Sequence, residues 1–243
     1  AAATVGVIVG VVTLTGVGFR LGYVVVQTAN DIGGVLGGFW PFNFFGVGQW
    51  SLFISLILIA IACIIMGAGI PTTATYIILV AVAAPALAVQ EVQPLVAHFF
   101  VFYYGVLADI TPPVALAAYA AAGIAGANPF KTGNTAFRLG IAKALVPFVF
   151  VYSPSLLLVA DGFTWSAFAI TLTGAALGIA SLGVAFSGFL LTPLPRIQRW
   201  WVGLVAFLFI APGLVTMAVG VALLAPVVAL QIRAWTSDPA AAA

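Results

Sequence analysis

Charge is what this sequence lacks. Only twelve Asp, Glu, Lys and Arg side chains occur in 243 residues, 5% of the chain, against about 25% in soluble domains. No formal charge occurs between Asp31 and Glu91, or between Arg199 and Arg233. Each interval is longer than the roughly 20 apolar residues that span a bilayer. A soluble fold of this size could not cover its surface with so few charges. The single cysteine, Cys63, excludes a disulfide framework and a cysteine metal cluster, and lies inside an apolar run where a small packing residue is expected. The lone histidine, His98, excludes paired imidazole ligands and reads as an interfacial or helix-packing residue. No nucleophile-elbow sequence is present, and no basic patch exists to neutralise phosphates, so enzymatic and nucleic-acid functions are not expected.

What is there is apolar, alanine-rich and glycine-rich, the composition of closely packed membrane helices. The pairs Gly6/Gly10 and Gly174/Gly178 have the spacing of helix contacts. The expected fold is an all-α integral membrane bundle with several spans. The chain starts at Ala1 and runs directly into an apolar segment without a signal peptide, so a fragment of a longer membrane protein is expected.

Apolar runs and breakers predict a first span over 4–26, then a loop over 27–49 with an interfacial aromatic stretch, Phe39–Phe45. Further segments are expected at 50–89, 94–126, 136–158, 165–191 and 200–232. The segments 50–89 and 94–126 would be about 50–60 Å long as straight helices, in a hydrocarbon layer about 30 Å thick. Both carry breakers near the middle: Gly67-Ala-Gly-Ile-Pro71-Thr-Thr in one, Asp109-Ile-Thr-Pro-Pro113 in the other. Proline lacks the N–H and disfavours a helical residue before it. Each segment therefore reads as two helices joined by irregular backbone, the first as a re-entrant hairpin and the second as a discontinuous helix. The last segment contains Ala211-Pro212-Gly213 and is expected to form two short helices.

Charge placement orients the chain. Lys131, Arg138 and Lys143 surround one loop, and Arg196 and Arg199 lie in the loop two crossings later. The positive-inside rule puts both on the cytoplasmic side, with Glu91 and Asp161 outside.

Irregular backbone at membrane depth survives where it lines a cavity or binds something. Asp109 is an ionisable group in an apolar segment, which marks a functional site or a helix end near the surface; spacing leaves both readings open. Thr111 adds a hydroxyl, and Pro112 and Pro113 free upstream carbonyls. Such hard oxygen ligands suit Na⁺ or the surroundings of a carboxylate. Gly67 and Gly69 permit close backbone approach, and Thr72 and Thr73 occupy a helix N-terminus whose dipole favours an anion.

At these residues the chain resembles a known family. Met66-Gly-Ala-Gly-Ile-Pro-Thr-Thr-Ala-Thr-Tyr76 is similar to the GMGLPTTAAY element of tripartite ATP-independent periplasmic (TRAP) transporters, in the fused-permease type served by TAXI-class binding proteins. So is the stretch from His98 to Lys131, HFFVFYYGVLADITPPVALAAYAAAGIAGANPFK, with Thr132-Gly133 and Phe137–Gly140 after it. The resemblance is nearly continuous from 1 to 160, with a more generic tail. It implies the C-terminal half of the large membrane subunit, that is, one inverted repeat of an elevator-type importer. On that pattern 1–160 is permease core and 161–243 holds C-terminal membrane helices. The resemblance further implies sodium-coupled uptake of small organic acids delivered by a periplasmic substrate-binding protein, with Na⁺ as coupling ion. The first permease repeat and the small-subunit portion would then lie outside this sequence. Gly67, Gly69, Pro71, Thr72 and Thr73 become the hairpin tip, and Asp109, Ile110, Thr111, Pro112 and Pro113 the helix break. Two departures stand out: Ala68 replaces a methionine, and Asp109 stands where family members often carry a small residue. The rival reading is a non-transporting membrane scaffold or assembly subunit.

Overall fold

A computed structural model describes residues 2–39, 47–159, 162–209 and 213–237. Two compact units divide the chain, Ala1–Asn134 and Thr135–Ala243. The described residues are helical apart from turns and one isolated bridge between Phe189 and Pro193. Among the described residues five helices are long and apolar enough to cross a membrane, in keeping with an all-α, multi-span membrane protein.

The first unit opens with α1 (Ala2–Thr15) and α2 (Val17–Phe39). The single span expected over 4–26 is instead bent by 63°. The cause is Gly16, whose φ of +66° lies in the left-handed region that other residues resist. The expected loop after residue 26 is also helix, as far as Phe39. Asn30 and Gly33, which read as loop residues, meet α3 (Val47–Gly67) instead: Ser51 Oγ donates to Asn30 Oδ1, and the Gly33 backbone lies against that of Ser51. Tertiary packing here outweighs local turn preference. Most of the expected aromatic interfacial stretch, residues 40–45 of 39–45, lies outside the described residues.

Close helix contacts in this unit depend on glycine. A Cβ built on Gly18 would sit 2.4 Å from the Ala81 carbonyl oxygen of α4 (Thr72–Val89), and one on Gly22 would sit 3.1 Å from Ala86. Gly18 and Gly22, four apart, therefore form the face on which α2 and α4 meet. Gly6 and Gly10, picked out by spacing, have nothing within 4 Å of an added Cβ, so that expectation fails. In the second unit Gly174 and Gly178 do pack, against the Phe209 and Ala206 carbonyls.

The segment 50–89 breaks where expected, with α3 ending at Gly67 and α4 starting at Thr72 after Pro71. Its arms of 21 and 18 residues extend about 32 and 27 Å, so each has crossing length by itself. A turn through Glu91, at φ +59°, leads to Pro94 at the first position of α5 (Pro94–Leu107). A 3-10 turn, Ala108–Ile110, and an irregular stretch then separate α5 from α6 (Leu116–Ala125). Their 14 and 10 residues are each too short to span. Cys63 is buried as a packing residue. His98 is a helix-packing residue: its Nδ1 lies 2.7 Å from Tyr76 Oη, joining α5 to α4.

The span expected at 136–158 starts earlier, at Pro129, and runs through α7 (Pro129–Gly140), a 3-10 stretch Ile141–Ala144 and α8 (Leu145–Tyr152). Asn128 Oδ1 accepts from Lys131 N at 3.0 Å, and Pro129 fills the first helical position, an N-terminus signal the charge pattern masks. Lys131, Arg138 and Lys143 consequently lie on the helix and its 3-10 stretch rather than around a loop. Pro147 offers no N–H to the Lys143 carbonyl, which accounts for the tightening just before α8.

In the second unit Ala142, Leu145 and Val149 pack with Ala175 and Leu182 of α9 (Trp165–Ser187) and Ala206 of α10 (Arg196–Ala206). Asp161 lies outside the described residues, as do Ala211 and Pro212. The final segment is not two short helices: α10 has 11 residues and α11 (Leu214–Ser237) has 24. The C-terminal turns of α11 are anchored by Gln231, buried at 3% exposure, whose Oε1 accepts from Thr192 N and Oγ1 at 3.0 and 2.8 Å.

Replacing Gly18 with Ala forces α2 off the Ala81 backbone and should lower the thermal stability of the detergent-solubilised protein by about 2 kcal/mol, in the range of overpacked cores. Gly6→Ala, in open space, should leave stability unchanged or raise it by up to about 1 kcal/mol through helix propensity. Equal melting temperatures for the two variants would show that the α2–α4 contact is not close.

Candidate functional site

The two breaks, separated by some forty residues of chain, lie side by side within the first unit. A Cβ on Gly67 would meet Thr75 Cγ2 at 3.0 Å, Ala108 Cβ at 3.1 Å and the Gly105 carbonyl oxygen at 3.3 Å. One on Gly69 would meet Val114 Cγ1 at 3.5 Å, and Gly69 itself has φ +83°. The tip of the α3–α4 hairpin thus rests on the end of α5 and on the stretch after it. Glycine at 67 and 105 is what lets the backbones come this close.

The tip is held by its own chain. Thr75 Oγ1 donates to the Ile70 carbonyl at 3.0 Å, and Thr75 N to the Pro71 carbonyl at 2.9 Å. Thr75 is 1% exposed and its methyl faces both Gly67 and Gly105. The Gly67 carbonyl accepts a long bond, 3.4 Å, from Ile70 N. Thr72 and Thr73 begin α4 and are exposed, and the first-turn N–H groups of α4 have no partner within the helix.

The second break is governed by its two prolines. In a continuing helix residues 112 and 113 would donate to the carbonyls of Ala108 and Asp109; as prolines they cannot. Thr111 compensates in part: its N donates to the Ala108 carbonyl at 3.1 Å and its Oγ1 to the Leu107 carbonyl at 2.8 Å. Ala115 N then reaches the Thr111 carbonyl at 3.1 Å, and Tyr119 Oη closes the loop onto the Pro113 carbonyl at 2.8 Å. The Pro112–Pro113 peptide is cis, and Ala115 adopts φ +36° before α6 begins. Asp109 sits in the 3-10 turn, half-buried.

These residues present carbonyl, hydroxyl and carboxylate oxygens around two interrupted helices. No group of three or more His, Cys, Asp or Glu side chains that could hold a metal is found among the described residues. The oxygens present are carbonyl, hydroxyl and single-carboxylate oxygens, all of the hard donor type. Thr111 Oγ1 gives its proton to Leu107, which leaves its lone pairs able to accept.

The sequence profile of the DctM component of tripartite ATP-independent periplasmic transporters matches residues 1–165. The chain belongs to this family. Both breaks, the hairpin and the helices through α8 fall inside the match, whereas α9 to α11 lie beyond or at its edge. No match was found among the curated proteins or the solved structures. The family is one of transporters, not enzymes, and the chain is accordingly a TRAP-type permease component of the bacterial inner membrane. Membership implies a periplasmic binding protein and a small membrane subunit as partners.

Of the ten residues singled out from the sequence, the structure brings Gly67 and Gly69 against the segment that contains Asp109–Pro113. Thr72 and Thr73 face outward. Sequence reasoning missed Thr75, Gly105 and Tyr119. The signals were slight: a third threonine one turn into α4, and a single glycine in the apolar run of α5.

Replacing Gly67 with Val should push the hairpin tip off α5. Transport by the assembled permease should fall at least tenfold while membrane insertion persists; retained wild-type uptake would show that the two breaks need not touch.

Proposed function

We propose that the paired breaks form the ion and substrate site of a sodium-coupled importer of small organic acids, served by a TAXI-class periplasmic binding protein. The observation that carries this reading is the seating of Gly67 against Gly105 and Ala108. It joins two interrupted helices whose irregular backbone needs either a packed partner or a cation to offset several kcal/mol per unpaired group in lipid. Backbone carbonyls around Gly67 and Gly69, with Ile110 and hydroxyls from Thr72, Thr73 or Thr111, would hold Na⁺. Pro71, Pro112 and Pro113 keep those carbonyls outside a continuous helix, and Asp109 adds a nearby negative charge that favours the cation. The exposed N-terminus of α4, at Thr72 and Thr73, suits the substrate carboxylate.

Residues 50–89 act as a re-entrant hairpin in this reading, and the chain forms one of two inverted repeats that move as an elevator. Residues 161–243 add C-terminal membrane helices. The basic residues on α7 and α10 favour the cytoplasmic side for those ends.

The sodium site is tested in proteoliposomes of the full-length protein with its binding protein. Thr111→Val keeps shape while deleting one ligand, and should raise the sodium concentration for half-maximal uptake about tenfold, equivalent to ~1.4 kcal/mol. Asp109→Asn should weaken sodium dependence as well. Wild-type sodium curves in both variants would make the break purely structural.

The hairpin is tested by single cysteines at Gly48, Ala68 and Glu91 in a background where Cys63 is replaced. An impermeant thiol reagent should reach 48 and 91 from the periplasmic side, with 68 shielded from cytoplasmic reagent. Labelling of 68 from the cytoplasm as readily as an ordinary loop would mean that both arms cross.

A further inference from the structure

The C-terminal end of α9 collects arginines. The helix stops at Ser187, and Gly188 turns the chain at φ +74°, leaving the last carbonyls to find donors outside the helix. Arg199 of α10 supplies two: its Nε donates to the Ala185 carbonyl at 2.9 Å and its Nη2 to the Phe186 carbonyl at 3.2 Å. Arg138 of α7 donates from Nη2 to the same Phe186 carbonyl at 3.3 Å. Two guanidinium groups from different helices thus meet at one oxygen.

That arrangement leaves positive charge in excess. A helix C-terminus offers only about half an elementary negative charge, against two full cations. Among its described residues the second unit contains no Asp or Glu, so no carboxylate there balances the pair. Arg196, one turn before Arg199 and exposed, adds a third cation to α10. The guanidinium groups are also incompletely used. Each carries five N–H donors in a fixed fork; Arg138 uses one on Phe186, and Arg199 uses two on α9. The space beside Arg199 is kept by Gly188, where an added Cβ would lie 2.9 Å from Nη1.

We propose that Arg138 and Arg199 bind the phosphodiester headgroup of an anionic phospholipid. The oxyanion chemistry follows from the forks, which match phosphate oxygens in paired hydrogen bonds. The lipid source follows from the surroundings. Leu139, Ile197 and Trp200, neighbours in sequence of the three arginines, are 72%, 84% and 76% exposed. An exposed indole and two exposed aliphatic side chains on the same helix segments as the cationic pair suit the boundary between headgroups and acyl chains. A soluble anion would gain nothing from them.

The test measures thermal unfolding of the full-length protein in neutral detergent, with phosphatidylglycerol, phosphatidylcholine or inorganic phosphate added. Phosphatidylglycerol should raise the melting temperature of the wild type by several degrees, and the other two should not. Arg138→Gln should lose at least half of that shift while keeping its melting temperature in phosphatidylcholine, since its exposed side chain gives up one long bond. Arg138→Lys, which keeps the charge but not the fork, should fall between them and covers the case in which the glutamine variant does not fold. Native mass spectrometry should show fewer retained phosphatidylglycerol molecules on both variants. An undiminished shift and lipid count in the variants would mean that the arginines only cap α9. An equal shift with inorganic phosphate would mean a soluble-anion site, and either result overturns the proposal.

Discussion

The satisfaction of backbone hydrogen bonds away from water is the constraint on which this structure rests. A peptide N–H or carbonyl facing hydrocarbon costs several kcal/mol, which is why membrane chains are built as helices. Each interruption must therefore be closed locally or shielded by protein. At the Asp109–Pro113 break Thr111 and Tyr119 close part of the gap through their hydroxyls, donating to the Leu107 and Pro113 carbonyls. At the hairpin tip Thr75 does the same for Ile70. At the end of α9 the donors are arginines. Hydroxyls suit the first two sites because they carry no net charge to desolvate and can still accept from, or coordinate, something else.

With charge scarce, proximity takes the place of ion pairing. Gly18 and Gly22 bring α2 onto α4, Gly33 brings it onto α3, and Gly67 with Gly105 brings the hairpin tip onto α5. Lipid is as apolar as leucine, so such contacts gain from dense packing and not from hiding apolar surface. The many large apolar side chains left exposed, such as Leu14, Ile124 and Ile65, fit a chain whose outside is hydrocarbon. The same economy of charge holds at the two helix interruptions, which are pressed together through glycine and small side chains.

The breaks at 67–73 and 109–113 were legible in the sequence, because proline and glycine act on the residue where they stand and on its immediate neighbours. The length argument worked for the same reason, since about 30 Å of hydrocarbon limits any straight helix. Local signals misled where a distant partner outweighed them. Asn30 and Gly33 read as loop until Ser51 of α3 is placed beside them. Gly6 and Gly10 read as a contact pair, yet nothing approaches them. Asn128-Pro129 was a helix start that the neighbouring lysines and arginine disguised as a loop.

What the sequence determined by itself was class and the position of the interruptions at 67–73 and 109–113, since these depend on composition and on residues that limit their own backbone. Tertiary structure alone decided that the hairpin tip meets the α5–α6 break, that Thr75 and Gly105 belong beside it, and that Arg138 and Arg199 share one carbonyl. Spacing along a helix shows which residues share a face. It does not show which other helix that face will meet, because a contact between segments many residues apart is set by the fit of two surfaces at once, and neither surface is written in the residues of the other.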